Sequence, residues 1–246
     1  MTNHQRGIQT VELAGDILKL VCGSKRALSL SEIAETLEMS PGSAYKYLIS
    51  LLRTGLLKRN DSTLEYEAGP LSLRLGLSKI KHDDMLAHAR NTLTHLAEKY
   101  QLNAFASMWS DLNGATVVFY KEYGGFFNLG FRLGMRLSLL NTTTGRLFAA
   151  YMNATQLADY LDHDDIKQSD YINVLQEIRI QGYSTLSDIP TPGFTSYAVP
   201  VFDCDQNIVM TLTAFGSSER FVQGGIQTLL DELNQIAAEL KGQNNG

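Results

Sequence analysis

Apolar residues recur at helical spacing in three blocks near the start of the chain. Ile8, Val11, Leu13, Ala14, Ile17, Leu18 and Val21 form one stripe, Ile33, Ala34 and Leu37 a second, and Ala44, Leu48, Leu51 and Leu52 a third. Each predicts an amphipathic helix, and the signals at the helix ends are local. Ser29-Leu30-Ser31-Glu32 is a capping box: the Ser29 hydroxyl accepts from the Glu32 amide, and the Glu32 carboxylate accepts from the Ser29 amide. Ser40-Pro41 opens the third helix, because Ser is a favoured N-cap and the missing N–H of proline is unneeded at the first helical position. Gly55 is expected to end it in a left-handed conformation. The pattern puts Ser43, Lys46, Tyr47, Ser50 and Thr54 on the polar side of that helix. Leu56-Leu57-Lys58-Arg59, the turn residues Asn60-Asp61-Ser62 and Leu64-Glu65-Tyr66 then read as a hairpin, which completes a helix-turn-helix with a wing.

The later pattern changes character. Met85, Leu86, Ala89, Leu93, Leu96 and Ala97 predict a helix begun by Asp83-Asp84, whose carboxylates complement its dipole. Ala104 to Ser110 and Ala115 to Tyr123 read as strands around the turn Asp111 to Gly114. Helices are expected at about Thr143 to Met152, Thr155 to Leu161 and Asp170 to Gln181, then strands at Tyr197 to Phe202 and Ile208 to Phe215, and a last helix from Gly225 to Leu240. Strands paired through hairpins, with helices between the groups, indicate a mainly antiparallel α+β domain. The chain is therefore expected to divide into residues 1–76, a linker helix over 77–101, and a second domain over 102–246.

Composition narrows the chemistry. A length of 246 residues suits two domains with real cores. The formal net charge is −5, yet residues 1–80 carry ten Lys/Arg against eight Asp/Glu while the remainder carries eleven against eighteen. A net of +2 against −7 favours an anionic partner for the first domain without the basic stripe of a tight nonspecific DNA binder. Cys22 and Cys204 stand alone, so neither a disulfide framework nor a zinc ribbon is expected. No apolar run approaches a membrane span and MTNHQRG is no signal peptide, so a cytoplasmic location, with no membrane partner, is expected. No enzyme, cofactor or metal site is expected either. His88 and His95 lie seven apart on one helix, not at the four-residue spacing of a zinc pair, and His163 sits among Asp162, Asp164 and Asp165, which lack calcium-loop spacing.

In combination, Gly7-Ile8-Gln9-Thr10-Val11, Leu28-Ser-Leu-Ser-Glu-Ile-Ala34, Tyr66-Glu-Ala-Gly-Pro70, Leu137 to Arg146, Ile178 to Tyr183 and Pro192-Gly193 through Asp203 resemble the IclR family of bacterial transcriptional regulators from end to end. The resemblance implies an N-terminal winged helix-turn-helix, a linker helix used in dimerisation, and a C-terminal GAF-like antiparallel sheet domain with flanking helices that senses small organic acids. It implies double-stranded operator DNA as one partner and a second copy as another, in a dimer or a dimer of dimers. On that architecture Ser43, Lys46 and Tyr47, flanked by Gly42 and Ser50, face base edges, while Lys25, Arg26, Lys58 and Arg59 reach phosphates. Many relatives carry an Arg at the position of Tyr47 and a Thr at that of Ala44, which implies a different operator here.

For an effector, Asn141, Thr142, Thr143, Ser196 and Thr213 offer hydroxyl and amide donors to a carboxylate, beside a helix start. Relatives often place an acidic residue at Leu186, Cys at Ser196, and Ser at Thr213 and Phe215, so this pocket is expected to be more apolar or aromatic. Trp109, Met108, Phe126, Phe127 and Phe131 either line it or belong to plain core. The Thr run either binds ligand or only caps its helix. A binding module whose helix-turn-helix does not read DNA is the alternative to a regulator.

Overall fold

The computed structural model describes residues 7–24, 26–81, 84–110, 114–124, 131–153, 156–158, 168–189 and 191–241. The chain divides into two compact units between His82 and Asp83.

The first unit runs α1 (Gln9–Gly23), α2 (Leu30–Thr36), α3 (Pro41–Thr54), β1 (Leu57–Arg59), β2 (Tyr66–Ala68) and α4 (Pro70–Lys81). The local signals form as their chemistry requires. The Ser29 amide donates to the Glu32 carboxylate at 2.8 Å and the Glu32 amide donates to Ser29 Oγ at 3.3 Å. Ser40 Oγ accepts from the Ser43 amide at 3.2 Å, and Gly55 ends α3 at φ +77°, a conformation only glycine adopts without strain. Ile17, Ile33, Leu48, Leu51, Leu57 and Tyr66 make the core, each buried side chain contributing about 1.5–3 kcal/mol. Strands β1 and β2 pair antiparallel, and Leu28 bridges Tyr66 beside them. Helix α4 was not legible in the sequence. Its leucines alternate, a period of two, and the helix scatters them around its axis, so Leu73, Leu75 and Leu77 are 65%, 56% and 55% exposed.

The second unit is α+β. It contains α5 (Asp84–Tyr100), β3 (Asn103–Ser110), β4 (Gly114–Lys121), α6 (Thr143–Tyr151), α7 (Gln168–Gln181), β5 (Ser184–Ser187), β6 (Phe194–Phe202), β7 (Ile208–Ser217), α8 (Ser218–Gly224) and α9 (Ile226–Lys241). The five strands pair antiparallel in the order β4-β3-β7-β6-β5. Because strand side chains alternate, the sheet has two different faces. Ala104, Ala106, Val199, Val201, Met210, Leu212 and Ala214 pack under α5 and α9, where Leu93, Leu96, Leu233 and Leu240 are fully buried. On the other face α6 and α7 cover Ala198 with Leu147, Leu175 and Ile178. At that face's far end lies an aromatic cluster of Phe105, Phe148 and Phe215 with Ala115, Val117 and Leu137.

Residues 77–101 are shared between α4 of the first unit and α5 of the second. Strand β5 and helix α8 were not anticipated from the sequence. Both are short, and β5 shows its buried–exposed alternation over four residues only. Of the helix expected at Thr155 to Leu161, residues 156–158 are helical and the remainder lies outside the described residues.

Candidate functional site

The second unit holds a cavity of about 360 Å³ between the sheet and the loop that leads into α6. The loop is fastened by its own hydroxyls. Thr142, the N-cap, accepts from the Gly145 amide at 2.9 Å and donates to the Ser138 carbonyl at 2.7 Å. Ser138 Oγ in turn accepts from the Leu140 and Asn141 amides at 3.3 and 3.2 Å. The loop lies so close on α6 that a Cβ on Gly145 would stand 2.0 Å from the Ser138 oxygen and 2.6 Å from Leu139 Cα.

From the sheet, register supplies the floor. Phe105 is opposite Thr213, Thr213 opposite Ala198, and Ser196 opposite Phe215. The apolar wall is an aromatic set in which Phe105, Phe131 and Phe215 have ring centroids 5.3, 5.7 and 4.8 Å apart. Leu137, Met135, Ile189 and Phe194 extend it. The polar part comprises Ser138, Asn141, Thr142, Thr143, Thr191, Thr195, Ser196 and Thr213, and Arg136 is the one lining residue with a formal charge among those described. The first-turn N–H groups of α6 have no intrahelical partners, and its dipole favours negative charge at this end. Hydroxyl donors, a helix N-terminus, Arg136 and rings without carboxylates give the cavity a donor-rich side and an apolar, aromatic side. Its volume falls at the small end of ligand pockets.

Of the residues read from the sequence, Asn141, Thr142, Thr143, Ser196, Thr213 and Phe215 line this cavity. Leu186 does not. It is buried in β5 opposite Ser196, outside the lining. Phe131 is in the wall, Trp109 packs on Phe148 at 5.7 Å, and Met108 lies against the core under α5 and α9. Phe126 and Phe127 lie outside the described residues. Sequence reading did not single out Phe105, Arg136 or Thr195, which arrive by cross-strand pairing. Thr144 was likewise unmarked, although its Oγ1 lies 2.7 Å from Thr213 Oγ1 with both side chains fully buried.

In the first unit, α3 presents Gly42, Tyr45, Lys46, Ser50 and Arg53 to solvent, while Ser43 is half-buried. Tyr47 departs from the expected polar face. It packs half-buried against the cluster that holds Leu48 and Leu51, because positions 44, 47, 48 and 51 share one side of a helix with 3.6 residues per turn. The exposed cation is its neighbour Lys46. The comparison of Tyr47 with a DNA-contacting Arg therefore falls on a half-buried position packed against this cluster. Tyr45, 47% exposed, and Arg53, one heptad beyond Lys46, were overlooked.

The other nominated cations are largely engaged. Arg26 donates to the Glu32 carboxylate, which it and the Ser29 donors hold down at a pKa of about 2. Lys58 pairs with Glu67 at 3.0 Å, and Arg59 lies over the Tyr66 ring at 5.7 Å while donating to the Leu64 carbonyl. Lys25 lies outside the described residues. Lys46 and Arg53 make no ion pair among the described residues. Those residues contain no cluster of three or more His, Cys, Asp or Glu side chains able to hold a metal, and no helix long and apolar enough to cross a membrane. Asp162, His163, Asp164 and Asp165 are not among them.

The model of the bacterial transcriptional regulator IclR C-terminal domain matches residues 78–241, and that of the IclR helix-turn-helix domain matches residues 10–61. The chain belongs to the IclR family of bacterial transcriptional regulators. Among its relatives, the HTH-type transcriptional regulator BhcR of Paracoccus denitrificans is 25% identical, covering 95% of this chain and 86% of its own length. The crystal structure of an IclR transcriptional regulator from Alicyclobacillus acidocaldarius superposes with a TM-score of 0.81 at 22% identity, over 98% of this chain and 100% of that one. An IclR homolog from Microbacterium hydrocarbonoxydans, crystallised with 4-hydroxybenzoate, gives 0.74 at 12% identity, over 96% and 98% of the two chains.

Proposed function

We propose that this IclR-family chain is a ligand-responsive regulator that binds operator DNA as a dimer or dimer of dimers and senses a small organic acid, aromatic in body, of a catabolic pathway. The carrying observation is the cavity, with donors and a helix N-terminus at one wall and stacked Phe105, Phe131 and Phe215 at the other. The 4-hydroxybenzoate bound by the Microbacterium homolog is of the same chemical class, which supports the reading. On the DNA side, α3 enters the major groove with Lys46 and Ser50 leading and Ser43 beside them, while Arg26, Lys58 and Arg59 lie toward phosphates. Leu73 and Leu77, four residues apart on one face of α4 and both exposed, favour a second copy as a partner. Two half-sites about one helical turn apart then follow from two-fold symmetry. A ligand that prefers one arrangement of the dimer changes DNA affinity by the same coupling factor.

The test is anisotropy of labelled DNA from upstream of the chain's own gene, titrated with full-length protein with and without a panel of aromatic and aliphatic acids. Salt-dependent binding shifted by one acid is the expected result. Ligand binding with no retention of any upstream DNA would favour a binding module that does not read DNA.

A further inference from the structure

We infer that Thr144, buried behind the cavity, is a positioning residue that fixes the Thr213 hydroxyl as a hydrogen-bond donor, so that the cavity floor selects an acceptor oxygen and rejects a donor group. The inference rests on the effector reading above.

A hydroxyl has one proton to give and two lone pairs to receive with. Thr144 and Thr213 are each fully buried, their oxygens are 2.7 Å apart, and either atom is able to donate in that pair. The surroundings break the tie. Thr213 lines the cavity, so a proton not given to Thr144 has somewhere to go. Thr144 does not line it, and among the described residues Thr213 is the hydrogen-bond partner of its side chain. The usual escape for a helical Thr is the carbonyl four residues back, that of Leu140, which accepts from Arg146 Nε at 2.7 Å; among the described residues the Thr144 hydroxyl bonds to Thr213 and not to this carbonyl. If Thr213 donated, the Thr144 proton would be stranded in an apolar interior, the costly case for a buried polar group. Thr144 therefore donates, Thr213 accepts, and the Thr213 proton points into the cavity. A carboxylate, carbonyl or phenolate oxygen meets it favourably, whereas an ammonium or amine meets a donor facing a donor.

Two measurements on the full-length protein test this. A neutron structure of deuterium-exchanged crystals should show the Thr144 deuteron between the two oxygens and that of Thr213 directed into the cavity; the reverse arrangement overturns the inference. In parallel, thermal-shift titration with benzoate and benzylamine should show benzoate favoured. Thr144→Val should narrow that preference about tenfold, because the Thr213 hydroxyl is freed to accept as well as donate, while Thr144→Ser should retain it. An unchanged preference in Thr144→Val would sink the positioning role. Should neither probe bind, the organic-acid reading would suffer, and the neutron map would still decide the hydroxyl direction.

Discussion

Gly145→Ala puts the cavity's architecture at risk with a single methyl group. In an ordinary helix this change stabilises by about 1 kcal/mol, because alanine has less backbone freedom to lose. Here the added Cβ would stand 2.0 Å from the Ser138 oxygen and 2.6 Å from Leu139 Cα, both backbone atoms that no rotamer change relieves. The loop must lift away by more than an ångström-scale adjustment. Lifting breaks the Thr142 hydroxyl bond to the Ser138 carbonyl and loosens the N-cap on Gly145 itself. A lost cap and a lost side-chain bond cost about 1 kcal/mol each, and overpacking adds about 1–3 kcal/mol. The net is a destabilisation of about 2 kcal/mol or more, which for a unit of this size lowers Tm by about 4–8 °C. Calorimetry of the full-length variant measures it, and a paired ligand titration should find the effector response weakened, since the displaced loop is a cavity wall. Gly42→Ala is the control, with open space around its position in the first turn of α3, and should leave stability level or slightly higher. An unchanged or raised midpoint in Gly145→Ala would refute the close approach and the cavity drawn from it.

Lys46→Ala and Arg53→Ala should each weaken DNA binding, and each that touches a phosphate should lower the slope of log affinity against log salt by about 1; unchanged slopes for both would move the DNA contact off this face. Tyr47→Ala should instead destabilise the first unit by about 2 kcal/mol, read by urea denaturation, with its loss of DNA binding following its loss of fold. Thr142→Ala should cost about 1 kcal/mol through the lost N-cap, and Thr142→Ser should restore most of it. Glu32 has a folded pKa of about 2, below its unfolded value, so its contribution is present above the unfolded value and lost as the solution is acidified toward the folded one. Glu32→Gln keeps the capping box without the titration. The urea midpoint of the first unit should therefore fall less between about pH 5 and pH 2 in Glu32→Gln than in the parent chain.

The helix-turn-helix was legible because its determinants are local. The Ser29–Glu32 box, Ser40-Pro41 and Gly55 act within a few residues of themselves, and all three form. Tyr47 was placed on the polar face because an aromatic ring with a hydroxyl suits either side of an amphipathic helix, and only its packing against the cluster of Leu48 and Leu51 decides which. Helix α4 was missed for a sharper reason. Leu71, Leu73, Leu75 and Leu77 carry a strand's period, and the helix forms against it after Pro70, with Ser72 Oγ donating to the Leu56 carbonyl at 2.7 Å. In the second unit the polar residues of the cavity announced themselves as a Thr run at a helix start. Phe131, Phe215, Ser196 and Thr213 were named as well, but Phe105 and Thr195 were not, since Phe105 reaches Thr213 only through the β3–β7 register and Thr195 takes its place only through β6–β7. Leu186 shows the limit from the other side. It shares a rung with Ser196, yet β5 is the edge of the sheet beyond the cavity.

The way this cavity discriminates follows from what it is made of. A pocket that held its ligand by a buried ion pair would gain little net energy after desolvation, and its selectivity would rest on charge alone. Here most of the polar contacts are hydroxyls, the Asn141 amide and the start of a helix, with Arg136 the single charged side chain, set into a wall of Phe105, Phe131 and Phe215. A site built to hydrogen-bond one group rejects the analogue lacking it far more strongly than a hydrophobic pocket rejects a methylene, because the site's own buried donors are then left unpaired. On the proposed effector reading, the rings set the size and shape of the body that fits, and the donors set which end of it faces inward. Enlarging the apolar wall, for example by Phe131→Leu, should therefore broaden the range of acid bodies accepted while leaving acids preferred over amines. Removing the donor, by Thr213→Val, should do the reverse.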